Sequence, residues 1–171
     1  MKKSNFMKLA MIAVAAGSVV AANAQSNGPS GLSARIGAYF PTSDSAKNLG
    51  STWFVFGADY KLNSLAVAAP GVGLQSYLGI SADYYAKGGD SNLPVALTYN
   101  LRQSQMVYSI GIGPEFRNSG DLTSTGVGLA EQVGVSYELG NMPTPIFIQA
   151  KYFISGRPEL RGLGVYVGIR F

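Results

Sequence analysis

Two of the side chains that carry most enzyme chemistry are missing: the chain has no cysteine and no histidine among its 171 residues. Without cysteine there is no disulfide framework, thiol nucleophile, thiolate metal site or lipid-modified cysteine. Without histidine the commonest general base and the commonest metal ligand are gone, and a Ser-His relay cannot be built. A strong charge of one sign is missing too. Thirteen Lys and Arg face nine Asp and Glu, and three of those cations, Lys2, Lys3 and Lys8, stand in the first eight residues. The rest of the chain is nearly neutral and has no basic run, which gives no reason to expect nucleic acid. No apolar run is long enough to cross a bilayer as a helix, and no segment after residue 24 has helical periodicity. "GIGP" and "GVGL" lack the third glycine and the following helix of a dinucleotide site. No cofactor is implied.

The features that are present begin with a leader. The lysines are followed by an apolar run from Leu9 to Val20 and the small triplet Ala22-Asn23-Ala24, the layout of a cleaved signal peptide over residues 1–24. Residues 25–171 are then expected to form one domain.

Within that domain, stretches of about ten alternating residues are separated by turn chemistry. Eight strands are expected: Leu32–Phe40, Thr52–Leu62, Gln75–Tyr85, Leu93–Arg102, Met106–Arg117, Val127–Leu139, Ile146–Phe153 and Leu163–Phe171. "PTSDSAKNLGS", "AKGGDSN", "NSGDLTS" and "SGRPELRG" read as loops, and "RQSQ" and "GNMPTP" as tighter turns. Asn63–Gly73 is long and unusually apolar for a connection.

One face of these strands is greasy and ends in aromatics. Even strands close on Tyr60, Tyr99 and Tyr137, odd strands on Phe40, Tyr84, Phe116 and Tyr152. In an up-and-down sheet these make a girdle at each end, as at the two interfaces of a membrane. Tyr108 and Phe116 on one strand are roughly 20 Å apart at ~3.3 Å rise and a tilt near 40°, close to the height of such a belt. The other face carries Arg35, Asp59, Lys61, Ser81, Asp83, Thr98, Asn100, Arg102, Ser109, Glu115, Gln132, Glu138, Gln149, Lys151 and Arg170. Charges inside and Leu, Ile, Val and Phe outside suit lipid, where a closed sheet leaves no unpaired edge. The expected fold is all-β, an eight-stranded antiparallel up-and-down transmembrane β-barrel.

With leader, alternating strands, girdles and a terminal Phe171 in place, the chain resembles small outer-membrane β-barrel proteins of the OmpA/OmpX type. The resemblance implies a bacterial outer-membrane location, outer-membrane lipid as surroundings, and a last strand ending in Phe171 that is read by the barrel-assembly machinery. A monomer is expected.

The interior polar set, Arg35, Asp59, Lys61, Asp83, Arg102, Glu115, Glu138, Lys151 and Arg170, is expected to fill the lumen as ion pairs rather than to do acid–base work. Tyr39, Trp53, Tyr77, Tyr85, Phe147, Phe153 and Tyr166 also point inward, which in a barrel this narrow argues against a continuous channel. The leading role is non-catalytic, in envelope integrity or surface-loop interaction. A small ion-permeable pore and a soluble periplasmic lipid-binding barrel are the rivals. At the lower mouth Lys61, Asn100, Glu138 and Arg170 share the inward position of the strand-terminal triplet, so Glu138 is expected beside Arg170 or Lys61. Strict alternation puts Glu131 on the lipid face; a β-bulge near Ala130 is expected to turn it inward onto a basic neighbour.

Overall fold

The structure is a computed structural model that describes residues 31–62, 74–118, 120, 124–140 and 144–171. The leader over residues 1–24 and the Asn63–Gly73 connection lie outside the described residues. Eight antiparallel strands, each paired with its neighbours in sequence, close into a barrel in which β1 also pairs with β8. They are β1 (Leu32–Pro41), β2 (Trp53–Leu62), β3 (Leu74–Lys87), β4 (Asp90–Gln103), β5 (Met106–Asn118), β6 (Gly126–Leu139), β7 (Ile146–Ser155) and β8 (Gly162–Arg170).

The inversion of polarity read from the alternation is present in the burial. On the outer wall Val127 is 65% exposed, Ile110 59%, Leu129 57% and Ile36 56%, while in the lumen Asp83 and Glu115 are 0% and Lys151 2% exposed. Water cannot be the solvent of such an outer wall, and closure leaves no strand edge unsatisfied, so the barrel spans a membrane. Among the described residues no helix is long and apolar enough to cross one.

Three local features depart from the sequence reading. "AKGGDSN" is not a loop: β3 runs to Lys87 and β4 starts at Asp90. The turn between them is only Gly88-Gly89, both with positive φ (60° and 94°), the two-residue hairpin turn that matches strand twist. The first loop, expected without helix, holds α1 (Asp44–Leu49). Ser43 caps it by accepting a hydrogen bond from Ala46 N at 3.2 Å. Six residues are too few to display a helical period, and the helix is held by Ala46, which is fully buried. A 3₁₀ turn, Pro158–Leu160, occupies the loop before β8.

The third departure is Glu131. Pairing runs without interruption through Gly113↔Ala130 and Ile112↔Glu131 on one side, and through Ala130↔Ser155 and Glu131↔Ile154 on the other. No bulge forms, and Glu131 is exposed on the outer wall. The glycines that suggest a bulge, Gly126 and Gly128, instead keep alternation and face inward, where a Cβ on Gly128 would lie 2.7 Å from Glu115 Oε1.

Candidate functional site in the barrel lumen

The lumen is organised in three layers. The central layer joins four charged groups from four strands. Arg35 of β1 donates to Asp83 of β3 through Nη2 at 2.7 Å and Nε at 3.0 Å, to Ser81 Oγ at 3.1 Å, and also to Asp59 of β2. Lys151 of β7 reaches across from the far wall to Asp83 Oδ2 at 2.9 Å and Ser81 Oγ at 2.8 Å, with Asp59 Oδ1 3.9 Å away. Two cations and two carboxylates therefore balance, which is what removing them from water requires. Arg35 also lies over the Tyr166 ring, 5.2 Å from its centroid.

The backbone makes room for this cluster at Gly57. It pairs with Arg35 on one side and Asp83 on the other, and a Cβ there would lie 2.2 Å from Asp83 Oδ1 and 2.9 Å from Arg35 Nε. Gly57→Ala is expected to wedge the pair apart and lower stability by about 3–5 kcal/mol, the cost of breaking a buried ion pair. Urea unfolding of the barrel in lipid vesicles checks this, and a loss below about 1 kcal/mol would show that the cluster moves aside freely.

Above the charges sits an aromatic plug. Tyr39, Trp53, Val55, Tyr85, Phe153, Leu160 and Tyr166 pack together, each no more than 1% exposed. Tyr39 and Tyr85 stack with centroids 4.2 Å apart and planes at 14°. Their hydroxyls both donate to the Leu160 carbonyl, at 2.6 Å and 2.9 Å, so the 3₁₀ turn is tied down into the mouth. Trp53 Nε1 donates to Gly50 O at 2.9 Å at the end of α1. Beside the plug, the fully buried Glu115 accepts from Asn92 Nδ2 at 2.9 Å and Ser155 Oγ at 2.8 Å, with Arg117 Nε 4.0 Å away. Asn92 Nδ2 also donates to the Tyr85 hydroxyl at 2.8 Å.

At the lower mouth Glu138 is held between two arginines, Arg102 and Arg170, the latter with Nε 3.0 Å from Oε1. Arg170 lies over Phe147 at 5.0 Å and donates to Ser136 Oγ at 3.1 Å. Lys61 is not a partner of Glu138. It stands over the Tyr77 ring at 4.9 Å, because β2 and β6 are on opposite walls of the closed barrel while β4 and β8 each lie two strands from β6. Asn100 turns to Thr98 Oγ1 at 2.9 Å.

All nine residues of the expected interior set thus lie on the lumen side. They fall into separate groups: Arg35, Asp59, Asp83 and Lys151 in the centre; Glu115 above; Glu138, Arg102 and Arg170 below, with Lys61 on Tyr77. Of the aromatic set, Phe40, Tyr60, Tyr99, Phe116 and Tyr137 are exposed on the outer wall, while Tyr84 and Tyr152 are half-buried there. Sequence reading misses Asn92, Ser155 and Leu160 because it places all three in loops. No group of three or more acidic, Cys or His side chains able to hold a metal occurs among the described residues.

No family model matches the chain, and no curated protein matches it. Among solved structures, the outer membrane enzyme PagL is similar at 16% identity and a TM-score of 0.48, over 82% of this chain and 97% of that one. The Yersinia pestis outer membrane protein Ail, in a phospholipid bilayer nanodisc, is similar at 14% identity and a TM-score of 0.47, over 82% of this chain and 98% of that one. At these identities and scores neither likeness bears on function, and the barrel assignment rests on the closed strand register.

Proposed function

We propose that the protein is a non-catalytic integral barrel of the bacterial outer membrane, serving envelope integrity or presenting its short loops to a partner. One observation carries this reading: the four central charges of the lumen, Arg35, Asp59, Asp83 and Lys151, are spent on one another, beneath a mouth closed by aromatics and Leu160. Among the described residues, charges held in pairs and a lumen plugged by packed aromatics support a role other than catalysis or conduction. The apolar outer wall supports residence in lipid, and the leader read from the sequence supports export.

The experiment is purification from outer-membrane fractions followed by planar-bilayer recording. Heat-modifiable gel mobility, extraction only with detergent, and no steady unitary conductance are the expected results. A reproducible unitary conductance would overturn the reading in favour of a small pore. Extraction without detergent would favour the soluble lipid-binding barrel.

Assembly is proposed to depend on Phe171 through the assembly machinery that reads the last strand. β8 alternates strictly to Ile169 on the outer wall, and in the sequence Phe171 keeps the same two-residue spacing. Deleting Phe171 removes a residue beyond the end of β8 at Arg170 and leaves the closed sheet whole, so folded protein should keep its unfolding midpoint in vesicles, while the amount of barrel reaching the membrane in cells falls severalfold. Wild-type amounts after the deletion would overturn the assignment.

A further inference from the structure

Below the aromatic plug the lumen changes character. The inward side chains of β4, β5 and β6 are small there, Ala96, Thr98, Ser109, Gly111, Gly134 and Ser136, whereas the inward aromatics stand on β1, β2, β3, β7 and β8. Two amide groups in this region, Gln132 Nε2 and Gln149 Oε1, are buried with no hydrogen-bond partner, in residues 3% and 9% exposed. A buried amide left so is unfavourable until a polar molecule meets it. The register sets Gln132, Gly111, Thr98 and Gly79 side by side on four neighbouring strands, with Gly134, Ser109 and Asn100 in the next inward row toward the lower mouth. Solvent-accessible surface also runs inward here. Asp59 belongs to the central charge layer, yet its side chain is 34% exposed, while those of Arg35 and Asp83 beside it are at 0%. The sheet is closed around Asp59 and the plug seals the lumen above it, so this surface faces the lower lumen.

We propose that the lower lumen is a blind chamber that binds water and small uncharged polar molecules, open at the lower mouth and ended by the layer of Arg35, Asp83 and Lys151 beneath the plug. Water suits the lining. A molecule can accept from Gln132 Nε2 or donate to Gln149 Oε1 and turn its remaining bonds to the hydroxyls of Thr98, Ser109 and Ser136, reaching the roughly three hydrogen bonds typical of a buried water. The charges at the two ends are already held in pairs, Glu138 by Arg102 and Arg170 and Asp59 by Arg35. What the lining has left to offer is therefore neutral. The barrel thus has a wet half and a dry half: solvent reaches Asp59 from one face of the membrane only, and Asp83, Tyr39 and Tyr85 stay sealed. This goes beyond the non-catalytic reading, which needs no such polarity.

The natural absence of cysteine makes the test direct. Ser109→Cys and Thr98→Cys each place one thiol in the chamber with little change of volume, and Ser155→Cys, beside the plug and 1% exposed, is the sealed control. Each variant is folded into lipid vesicles and checked by heat-modifiable mobility, and its orientation is scored by tryptic cleavage after Lys47. Iodoacetamide, small and uncharged, is presented on one side at a time, with glutathione on the other side to consume what crosses the lipid. Expected is alkylation of both chamber thiols from the lower mouth at least about a hundredfold faster than from the loop side or at Ser155→Cys, which reacts only as the barrel opens locally. Rates as slow as that of Ser155→Cys would show a dry lower lumen and overturn the chamber, while leaving the non-catalytic barrel intact. Equal rates from the two sides would show a through path and overturn its blind end. In the unsubstituted barrel in lipid, magnetisation transferred from water should reach the side-chain amides of Gln132 and Gln149 sooner than the Trp53 indole, and the reverse order would overturn the assignment of water.

Discussion

Arg35→Met is expected to destabilise the barrel by about 3–5 kcal/mol, the cost of stranding buried charge. Arg35 is 4% exposed and donates to Asp83, Asp59 and Ser81 together. Methionine replaces its stem but leaves two carboxylates facing Lys151 alone, one of them, Asp83, wholly out of solvent. The loss reports the unpaired charge and not the worth of the pair, since replacing both partners of a buried ion pair is often neutral. Arg35→Met combined with Asp59→Asn should therefore recover much of the stability, because Lys151 and Asp83, 2.9 Å apart, remain as one cation and one anion. Urea unfolding in vesicles, followed by heat-modifiable mobility, separates the variants. A single variant within about 1 kcal/mol of wild type would mean that water reaches the cluster and screens it.

Tyr85→Ala should cost a similar amount, about 3–5 kcal/mol, for a different reason: it empties the centre of a packed aromatic cluster. Tyr85 stacks on Tyr39 and its centroid lies 5.4 Å from that of Phe153. It also holds Leu160 O and receives Asn92 Nδ2. Tyr85→Phe keeps the packing and loses both hydrogen bonds, so it should cost about 1–3 kcal/mol, the penalty of leaving buried groups unpaired. The two variants also differ at the surface. Loosening of the plug should release α1 and the 3₁₀ turn, so trypsin should cleave after Lys47 and Arg161 faster in Tyr85→Ala than in wild type, with Tyr85→Phe between them. Unchanged cleavage in the Ala variant would show that the cap does not depend on the plug.

These two effects lie on opposite sides of what the sequence discloses. Arg35, Asp83 and Lys151 are recognisable as interior residues, because alternation has a period of two and each strand has one greasy face. That Lys151 meets Asp83 rather than any other carboxylate is not recognisable, since the two stand 68 positions apart and meet only because the sheet closes and its strands are staggered. Lys61 makes the same point in reverse. Its place in the strand-terminal triplet suggests Glu138, but β2 and β6 face each other across the barrel, and Lys61 rests on Tyr77 of the adjacent β3. The cap is beyond reach too: α1 is under two turns long, and nothing local marks Leu160 O as the acceptor for two phenols from distant strands.

Glu131 shows where local signals mislead. Glycine beside a charged residue suggests a bulge, yet Gly128 is needed inward, to leave room for Glu115, and the ladder on both sides of β6 runs regularly. By itself the sequence determined the number of strands, which face of each meets lipid, and the aromatic ends of the outer wall, because all three arise from side-chain polarity at fixed two-residue spacing. Only the tertiary structure decided which interior charges pair, what closes the mouth, and that one carboxylate stays on the outer wall. Each of those depends on which strands closure sets opposite one another and on how far their stagger carries a side chain along the barrel, and neither quantity is written in any single strand.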